Sequence, residues 1–180
     1  FAILTTCSES HRTMKKHSKT YLWGILAVVI ILVGFKVLSS SATEVAPVLD
    51  GELTISESSW DLGDVRMSDG MNTKSVPLTN ETSSPITLTK METSCMCTTA
   101  QIVHADGSKS GLKGMPGHGG ASAILSETIQ AGETVTLLVN FDPNAHGPSA
   151  IGPITRNVMM MTNSQAQPEI NLTFSGNVIK

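Results

Sequence analysis

The sequence predicts an all-β sandwich that follows one N-terminal hydrophobic segment, and three observations lead to this fold class. After Gly51, the apolar residues show no helical period that is sustained for ten residues. Short runs rich in β-branched residues recur there instead, separated by Gly, Pro, Asn and Asp. One long apolar run, at residues 21–38, stands apart from them near the N-terminus.

The apolar run has the features of an export signal. Lys15, Lys16 and Lys19 precede it. Met14 has the position expected of an initiator methionine at the start of such a basic region. As an uncleaved membrane anchor, residues 21–38 reach the minimum length for a spanning helix. As a signal peptide, they would be cut after the small residues 40–42. In both interpretations the N-terminus stays in the cytoplasm and the rest of the chain is exported.

The chain is therefore expected to have four parts. Residues 1–20 form a basic cytoplasmic region, in which 1–13 are either translated upstream sequence or the edge of a fragment. Residues 21–38 are the anchor or signal helix, 39–52 are a linker, and 53–180 are the extracytoplasmic domain. If the segment is cleaved near Ala42, the domain is secreted instead of tethered.

Eight strands are predicted in the exported domain. Apolar residues alternate from Val135 to Phe141 and from Ile170 to Phe174, as on strands with one buried face. This number of short strands, at this spacing, suggests two packed sheets. The predicted strands are 53–55, 60–67, 73–79, 86–92, 121–129, 134–141, 154–161 and 169–178. Residues 104–120 contain six glycines and are predicted to be a long loop.

The charge of the exported part argues against nucleic acid as a partner. From Thr43 onwards there are seven Lys and Arg residues and fourteen Asp and Glu residues. An acidic domain with few aromatic residues is a poor nucleic-acid binder. The expected partners are thus the membrane, through the N-terminal helix, and a protein that the sequence does not identify.

Several motifs resemble a widespread bacterial family, the domain of unknown function numbered 1573. Residues 60–65, Trp-Asp-Leu-Gly-Asp-Val, are similar to its opening motif. Residues 93–98, Thr-Ser-Cys-Met-Cys-Thr, look like its Ser-Cys-Gly-Cys-Thr signature, and 139–143, Val-Asn-Phe-Asp-Pro, resemble a later strand. The resemblance covers about residues 59–178. It implies an immunoglobulin-like β-sandwich related to ASH and MSP-type domains, bacterial export, and no established activity.

The chain departs from the family pattern in three places, and each departure adds a Met or a His. Met96 lies between the two cysteines, the Gly-rich loop contains Met115 and His118, and the turn at 142–148 contains His146. Domains of this architecture usually bind other proteins, which is an analogy from fold. The first functional hypothesis is therefore a membrane-tethered extracytoplasmic interaction or structural module, and not an enzyme.

Cys95, Cys97, Met115, His118 and His146 form the candidate site. Thiolate, thioether and imidazole are soft ligands that suit copper, so a copper-handling protein is the alternative hypothesis. The two cysteines are also open to interpretation as buried free thiols, or as a disulfide whose small ring is easily reduced. The last interpretation gives a second alternative, a thiol redox role. His104 has no sequence neighbours that recommend it.

The sequence shows no catalytic motif of the hydrolase, phosphate-loop or zinc-protease type.

Met159 and Met161 are predicted to point to the core, because they share one face of an alternating strand.

Overall fold

The computed structural model describes residues 50–118 and 122–180, which form nine strands and one 3₁₀ turn. The 3₁₀ turn, Met67–Asp69, follows the second strand. The strands are β1 (Leu53–Ile55), β2 (Ser59–Arg66), β3 (Asn72–Asn80), β4 (Ile86–Thr93), β5 (Thr98–Val103), β6 (Ile124–Ile129), β7 (Thr134–Phe141), β8 (Gly152–Thr162) and β9 (Glu169–Ile179).

The strands form two sheets, so the predicted all-β, two-sheet fold is confirmed for the described part of the chain. One sheet has the order β1-β3-β7-β5 and the other has the order β2-β9-β8-β4-β6. All neighbouring strands are antiparallel except β2 and β9, which run parallel. The chain passes from the second sheet to the first between β4 and β5, where the two exported cysteines lie.

A single apolar layer fills the space between the sheets, as the alternating pattern predicts. The inward residues of β7, from Val135 to Phe141, are at most 3% exposed. Phe174 of β9 stacks on Trp60 at 5.4 Å and meets Phe141 of the opposite sheet edge-on at 5.7 Å. Burial of one such aromatic side chain stabilises the fold by roughly 2–3 kcal/mol. The aromatic contact therefore joins the two sheets close to the end that carries the cysteines.

The sequence prediction omits β5. Its buried residues are Thr98, Ala100 and Ile102, each fully buried against the core. Because two of these three are small or polar, the strand lacks the apolar alternation that identifies β7 and β9. β5 is held by pairing with β7, where Thr98 lies opposite Phe141.

The predicted long loop is more ordered at its start than its glycines suggest. Lys113 exchanges both backbone hydrogen bonds with Ala100 of β5, each at 2.8 Å. Ser110 is buried, and its hydroxyl oxygen accepts a hydrogen bond from the Ile102 N–H at 2.9 Å. Residues 109–113 therefore lie along the outer edge of β5 and cover part of it.

The prediction that Met159 and Met161 point to the core is wrong. Met160 is the fully buried residue of this run, whereas Met161 is 38% exposed. Val158 and Met160 face inward on β8, and β9 pairs them with Leu172 and Ile170, which are also buried. The period of two was predicted correctly, but the sequence alone did not show whether Met159 and Met161 or Val158 and Met160 face the core.

The predicted anchor at 21–38, its flanking region 1–20 and linker residues 39–49 lie outside the described residues. Within residues 50–118 and 122–180, no helix is long and apolar enough to span a membrane.

Asn80, at the end of β3, is fully buried, and its side chain forms hydrogen bonds to the β3–β4 turn and to β6. Its amide nitrogen donates to the carbonyl oxygens of Ser84 and Ile129, both at 2.9 Å. Its side-chain oxygen accepts hydrogen bonds from the Thr82 backbone N–H and hydroxyl, at 3.1 and 2.7 Å. The Asn80 side chain therefore provides hydrogen-bond partners for groups in the β3–β4 turn and at the end of β6.

We expect Asn80→Ala to lower the free energy of unfolding by about 2 kcal/mol, because it removes the fully buried donor to the Ile129 and Ser84 carbonyl oxygens. Urea unfolding of the domain measures the change. Asn171→Ala is the matched control, since Asn171 is exposed and bonds only the nearby Glu169. Equal effects of the two substitutions would contradict the role given to Asn80.

Candidate functional site

The cysteine pair lies in the turn that carries the chain from β4 to β5. The turn closes on itself, because the Thr98 N–H donates to the Cys95 carbonyl oxygen at 3.0 Å. It is also fixed to β7, because the Asp142 N–H donates to the Cys97 carbonyl oxygen at 2.8 Å. The buried Thr93 hydroxyl lies 3.0 Å from the Cys95 carbonyl oxygen and supports the turn from β4. Both cysteines are thus held by backbone contacts at one end of the sandwich.

The sulfur atoms of Cys95 and Cys97 form a disulfide, and their Cα atoms are 5.3 Å apart. The two residues belong to the core cluster and are only 9% and 3% exposed. The Cys97 N–H lies 3.3 Å from the Cys95 sulfur. The pair therefore occupies a protected position at the edge of the apolar layer.

Each sulfur has a side-chain nitrogen atom beside it. His146 Nε2 lies 3.1 Å from Cys95 Sγ. Arg156 Nε donates a hydrogen bond to Cys97 Sγ at 3.2 Å. His146 comes from the turn after β7 and Arg156 comes from β8, so the sandwich brings together residues that are 51 and 59 positions from their cysteines.

Short-range turn contacts position His146. The Asp142 carboxylate accepts a hydrogen bond from the Asn144 N–H at 2.8 Å, and the Gly147 N–H donates to the Asn144 carbonyl oxygen at 2.9 Å. Gly147 has a positive φ of 82°, which few side chains tolerate, so the turn that carries His146 favours glycine here. His146 itself is exposed.

The two cysteines and one of the two candidate histidines converge. The potential ligand atoms of Cys95, Cys97 and His146 all lie within 4.8 Å of one another. His118 is exposed and does not belong to this group. Met115 is half-buried and follows Gly114, whose carbonyl oxygen accepts a hydrogen bond from the Thr93 N–H at 3.3 Å.

A pocket of about 310 Å³ opens beside Cys97. Its walls combine the apolar side chains of Phe141, Ile154 and Val178 with the polar groups of His146 and Arg156. Cys97 lines this pocket and Cys95 is not among its lining residues. The two sulfurs therefore differ in their surroundings.

Sequence reasoning missed Arg156 entirely. The residue lies in a strand without a local motif, and its relation to Cys97 follows only from the pairing of β8 with β9 and β4. Its one visible signal is charge: it is the only Lys or Arg between Lys113 and Lys180.

A second polar cluster, also missed, lies at the opposite end of β5. His104 Nδ1 lies 2.8 Å from a Glu133 carboxylate oxygen, and Nε2 lies 3.1 Å from a Glu127 oxygen. These three residues line a pocket together with Asp106 and Lys109. The imidazole thus joins the end of β5 to β6 and to the start of β7.

The contacts shift the pKa values of this cluster in opposite directions. The hydrogen bond to Glu133 raises the pKa of His104 above its ordinary 6.5; burial opposes this shift and the bond to Glu127 adds to it. The same hydrogen bond, with one from the Gln130 N–H, lowers the pKa of Glu133. His104 and Glu133 are therefore both charged across the mildly acidic range.

The fold and the site define the class of this domain as a two-sheet β-sandwich with a Cys-x-Cys turn at one end. The family resemblance is confirmed: residues 53–114 match the family described as "Protein of unknown function (DUF1573)". This segment runs from β1 past the cysteine turn to the strip that covers β5. No curated protein matches the sequence of the chain.

Solved structures with a similar fold have little sequence in common with this chain. A protein of unknown function from Porphyromonas gingivalis W83 is 13% identical, with a TM-score of 0.52 over 76% of this chain and 51% of that one. The chain thus spans about half of that protein's length. The seventh ASH/PapD-like domain of human CEP192 is 11% identical, with a TM-score of 0.45, 78% of this chain and 96% of that chain being covered.

The His104 cluster predicts a specific dependence of stability on pH. Because the pKa of His104 is raised on folding, its contribution is complete below about pH 6.5 and is lost as the pH rises through the folded-state pKa. Because the pKa of Glu133 is lowered, its contribution is present above its ordinary 4.5 and is lost as the pH falls. The cluster should therefore stabilise most between these limits.

We expect His104→Gln to reduce the free energy of unfolding by about 1 kcal/mol near pH 6 and by less at pH 8.5. Urea unfolding at the two pH values measures the difference. His118→Gln removes an exposed imidazole outside the cluster and should change neither value. A loss in His104→Gln that is the same at both pH values would contradict a charged contact.

Proposed function

We propose that this protein is a membrane-tethered extracytoplasmic module that acts by binding another protein or by structural support. The observation that carries the proposal is the β-sandwich itself, with a disulfide within its core cluster. Disulfides persist in oxidising compartments outside the cytoplasm and are rare within it. The state of the cysteine pair therefore supports export.

The N-terminal charge pattern supports the same location. Basic residues precede the apolar segment 21–38, and the exported part carries twice as many acidic as basic residues. Basic flanks stay on the cytoplasmic side of a membrane, so this pattern favours one membrane crossing with residues 53–180 outside. An uncleaved segment tethers the domain, whereas cleavage near Ala42 releases it.

The interaction role is supported by the architecture and by the exposed surface. Immunoglobulin-like sandwiches present loops and strand edges on a rigid frame, which suits partner binding. Large apolar side chains are also exposed on this frame: Ile124 is 77% exposed, and Leu112 and Ile151 are each 54% exposed.

The proposed location predicts the behaviour of reporter fusions. Alkaline phosphatase fused after Lys180 should be active in a bacterial host, whereas green fluorescent protein at the same position should stay dark. The chain should sediment with membranes, and deletion of residues 21–38 should reverse both reporter signals. A fluorescent fusion that is active in the intact chain would contradict export, and a soluble product beginning near Thr43 would replace tethering with secretion.

The proposed partner is tested by cross-linking in intact cells. The full chain should form discrete adducts that a chain ending at residue 52 does not form. The same adducts from both chains would show that the anchor, and not the domain, makes the contact. They would contradict an interaction role for the sandwich.

One observation favours a second function, the binding of a soft metal ion. Two cysteine sulfurs and the His146 imidazole already lie within 4.8 Å of one another. After reduction they offer two thiolates and one neutral nitrogen, a ligand set that suits Cu(I) or Zn²⁺. We propose this three-residue group as the metal site in the reduced protein, without the exposed His118.

Metal titration separates the two candidate histidines. In a Cys7→Ser background, the reduced protein should bind one Cu(I) in competition with a chromophoric chelator, and Cys95→Ser/Cys97→Ser should abolish binding. His146→Gln should weaken the affinity by at least about tenfold, whereas His118→Gln should leave it unchanged. Zn²⁺ binding alone would change the metal assigned, and no binding by the reduced parent protein would remove this function.

A further inference from the structure

The surroundings of the cysteine pair are better suited to negatively charged sulfur than to a disulfide. Sulfur in a disulfide carries no charge and accepts hydrogen bonds weakly. A thiolate accepts hydrogen bonds strongly, most of all from a cationic donor. Arg156 Nε is 3.2 Å from the Cys97 sulfur, and His146 Nε2 is 3.1 Å from the Cys95 sulfur. Arg156 therefore gains more from the reduced pair than from the oxidised pair, and so does His146 in the tautomer that carries a proton on Nε2.

Burial makes these donors more important. Cys95 is 9% exposed and Cys97 is 3% exposed, so water gives little hydration to an anion at either sulfur. An uncompensated charge in such a position is strongly unfavourable. Arg156 supplies a permanent positive charge, and its guanidinium is also oriented by a 2.8 Å hydrogen bond to the Thr155 carbonyl oxygen. The position of Arg156 thus compensates a charge that the disulfide does not have.

We propose that Cys95 and Cys97 form a reversible dithiol–disulfide couple, in which Arg156 and His146 stabilise the reduced sulfurs. The ligand is a dithiol reductant, either a protein or a small molecule, on the same side of the membrane as the domain. Stabilisation of the reduced form raises the reduction potential, so the disulfide accepts electrons more readily than a structural disulfide does. This role is independent of the identity of any partner of the sandwich.

The pocket offers one route to the disulfide. Cys97 lines the 310 Å³ pocket and Cys95 does not, so an incoming thiolate that enters this pocket meets Cys97. Among the described residues that line this pocket, only Asp142 has a carboxylate. This carboxylate accepts a hydrogen bond from the Asn144 N–H at 2.8 Å. The apolar walls formed by Phe141 and Ile154 suit the carbon chain of a thiol reagent.

The exchange then proceeds in two steps. A thiolate of the reductant attacks Cys97 Sγ, forms a mixed disulfide, and breaks the bond to Cys95 Sγ, which keeps the electron pair beside His146 Nε2. The second thiol of the reductant attacks the reductant sulfur of the mixed disulfide and releases the Cys97 thiolate beside Arg156. In total, two electrons pass to the cysteine pair, the proton of the second thiol is released to solvent, and the reductant becomes a disulfide.

The reduction potential of the full chain tests this proposal. All proteins carry Cys7→Ser and are equilibrated in mild detergent with mixtures of reduced and oxidised dithiothreitol or glutathione. Arg156→Met should shift the equilibrium about tenfold towards the disulfide, which is about 30 mV for a two-electron couple. His146→Gln should shift it in the same direction, and Arg156→Lys should give a smaller shift because it keeps the charge.

Lys109→Met is the matched control, because it removes one exposed positive charge at the opposite end of β5. It should leave the potential unchanged, and near-ultraviolet circular dichroism should show the parent fold in each variant compared. Unchanged potentials in folded Arg156→Met and His146→Gln would overturn the proposal. A parent disulfide that neither redox buffer reduces would overturn it as well.

Single-cysteine variants test the direction of attack. Cys95→Ser leaves the sulfur that lines the pocket, and Cys97→Ser leaves the sulfur that does not. With 5,5′-dithiobis(2-nitrobenzoate), Cys95→Ser should react about tenfold faster than Cys97→Ser, and added Arg156→Met should slow it. Faster reaction of Cys97→Ser would contradict entry through the pocket.

Discussion

The edge-on contact between Phe174 and Phe141 holds the two sheets of this domain together near the cysteine turn. It joins β9 to β7, and β7 lies between β3 and β5 in its own sheet. Phe141 is also paired with Thr98, the residue that follows Cys97. The same aromatic residue that anchors the core therefore sets the position at which the cysteine turn crosses between the sheets.

The chemistry of the site follows from that crossing. The turn between β4 and β5 places two sulfurs at the end of the sandwich, where the turn after β7 and the strand β8 also arrive. One element brings the imidazole of His146 and the other brings the guanidinium of Arg156. The module that we propose combines a rigid frame for contacts with other proteins and one chemically distinctive corner. The proposed export of the domain agrees with both features, because the oxidation of the pair depends on its compartment.

Local patterns predicted most of the fold, and they failed where tertiary pairing decides the structure. Alternation identified β7 and β9 because their inward residues are large and apolar. It missed β5, whose inward Thr98 and Ala100 are polar or small, and it assigned the wrong face to Met160 because three consecutive methionines fit either phase. Each of these outcomes depends on what the neighbouring strand offers, which a single strand's sequence does not contain.

The candidate site was predictable to a similar degree. The Cys-x-Cys turn stands out as a match to a family signature and His146 as a departure from the family pattern, and the structure brings them together. The same reasoning included the exposed His118, because a Gly-rich loop is compatible with many positions. It overlooked Arg156, whose partner Cys97 is 59 residues away, and His104, whose partner Glu133 is 29 residues away. Neither pair belongs to a sequence motif. Only the strand order brings such residues into contact.

The proposed arrangement of this end of the sandwich around anionic sulfur is tested by a crystal structure of the chain in its reduced state. The sulfurs should separate on reduction, while Arg156 Nε and His146 Nε2 stay within hydrogen-bonding distance of Cys97 and Cys95, respectively. If both side chains instead turn towards solvent once the disulfide is broken, the donors are incidental neighbours and the proposed arrangement is contradicted.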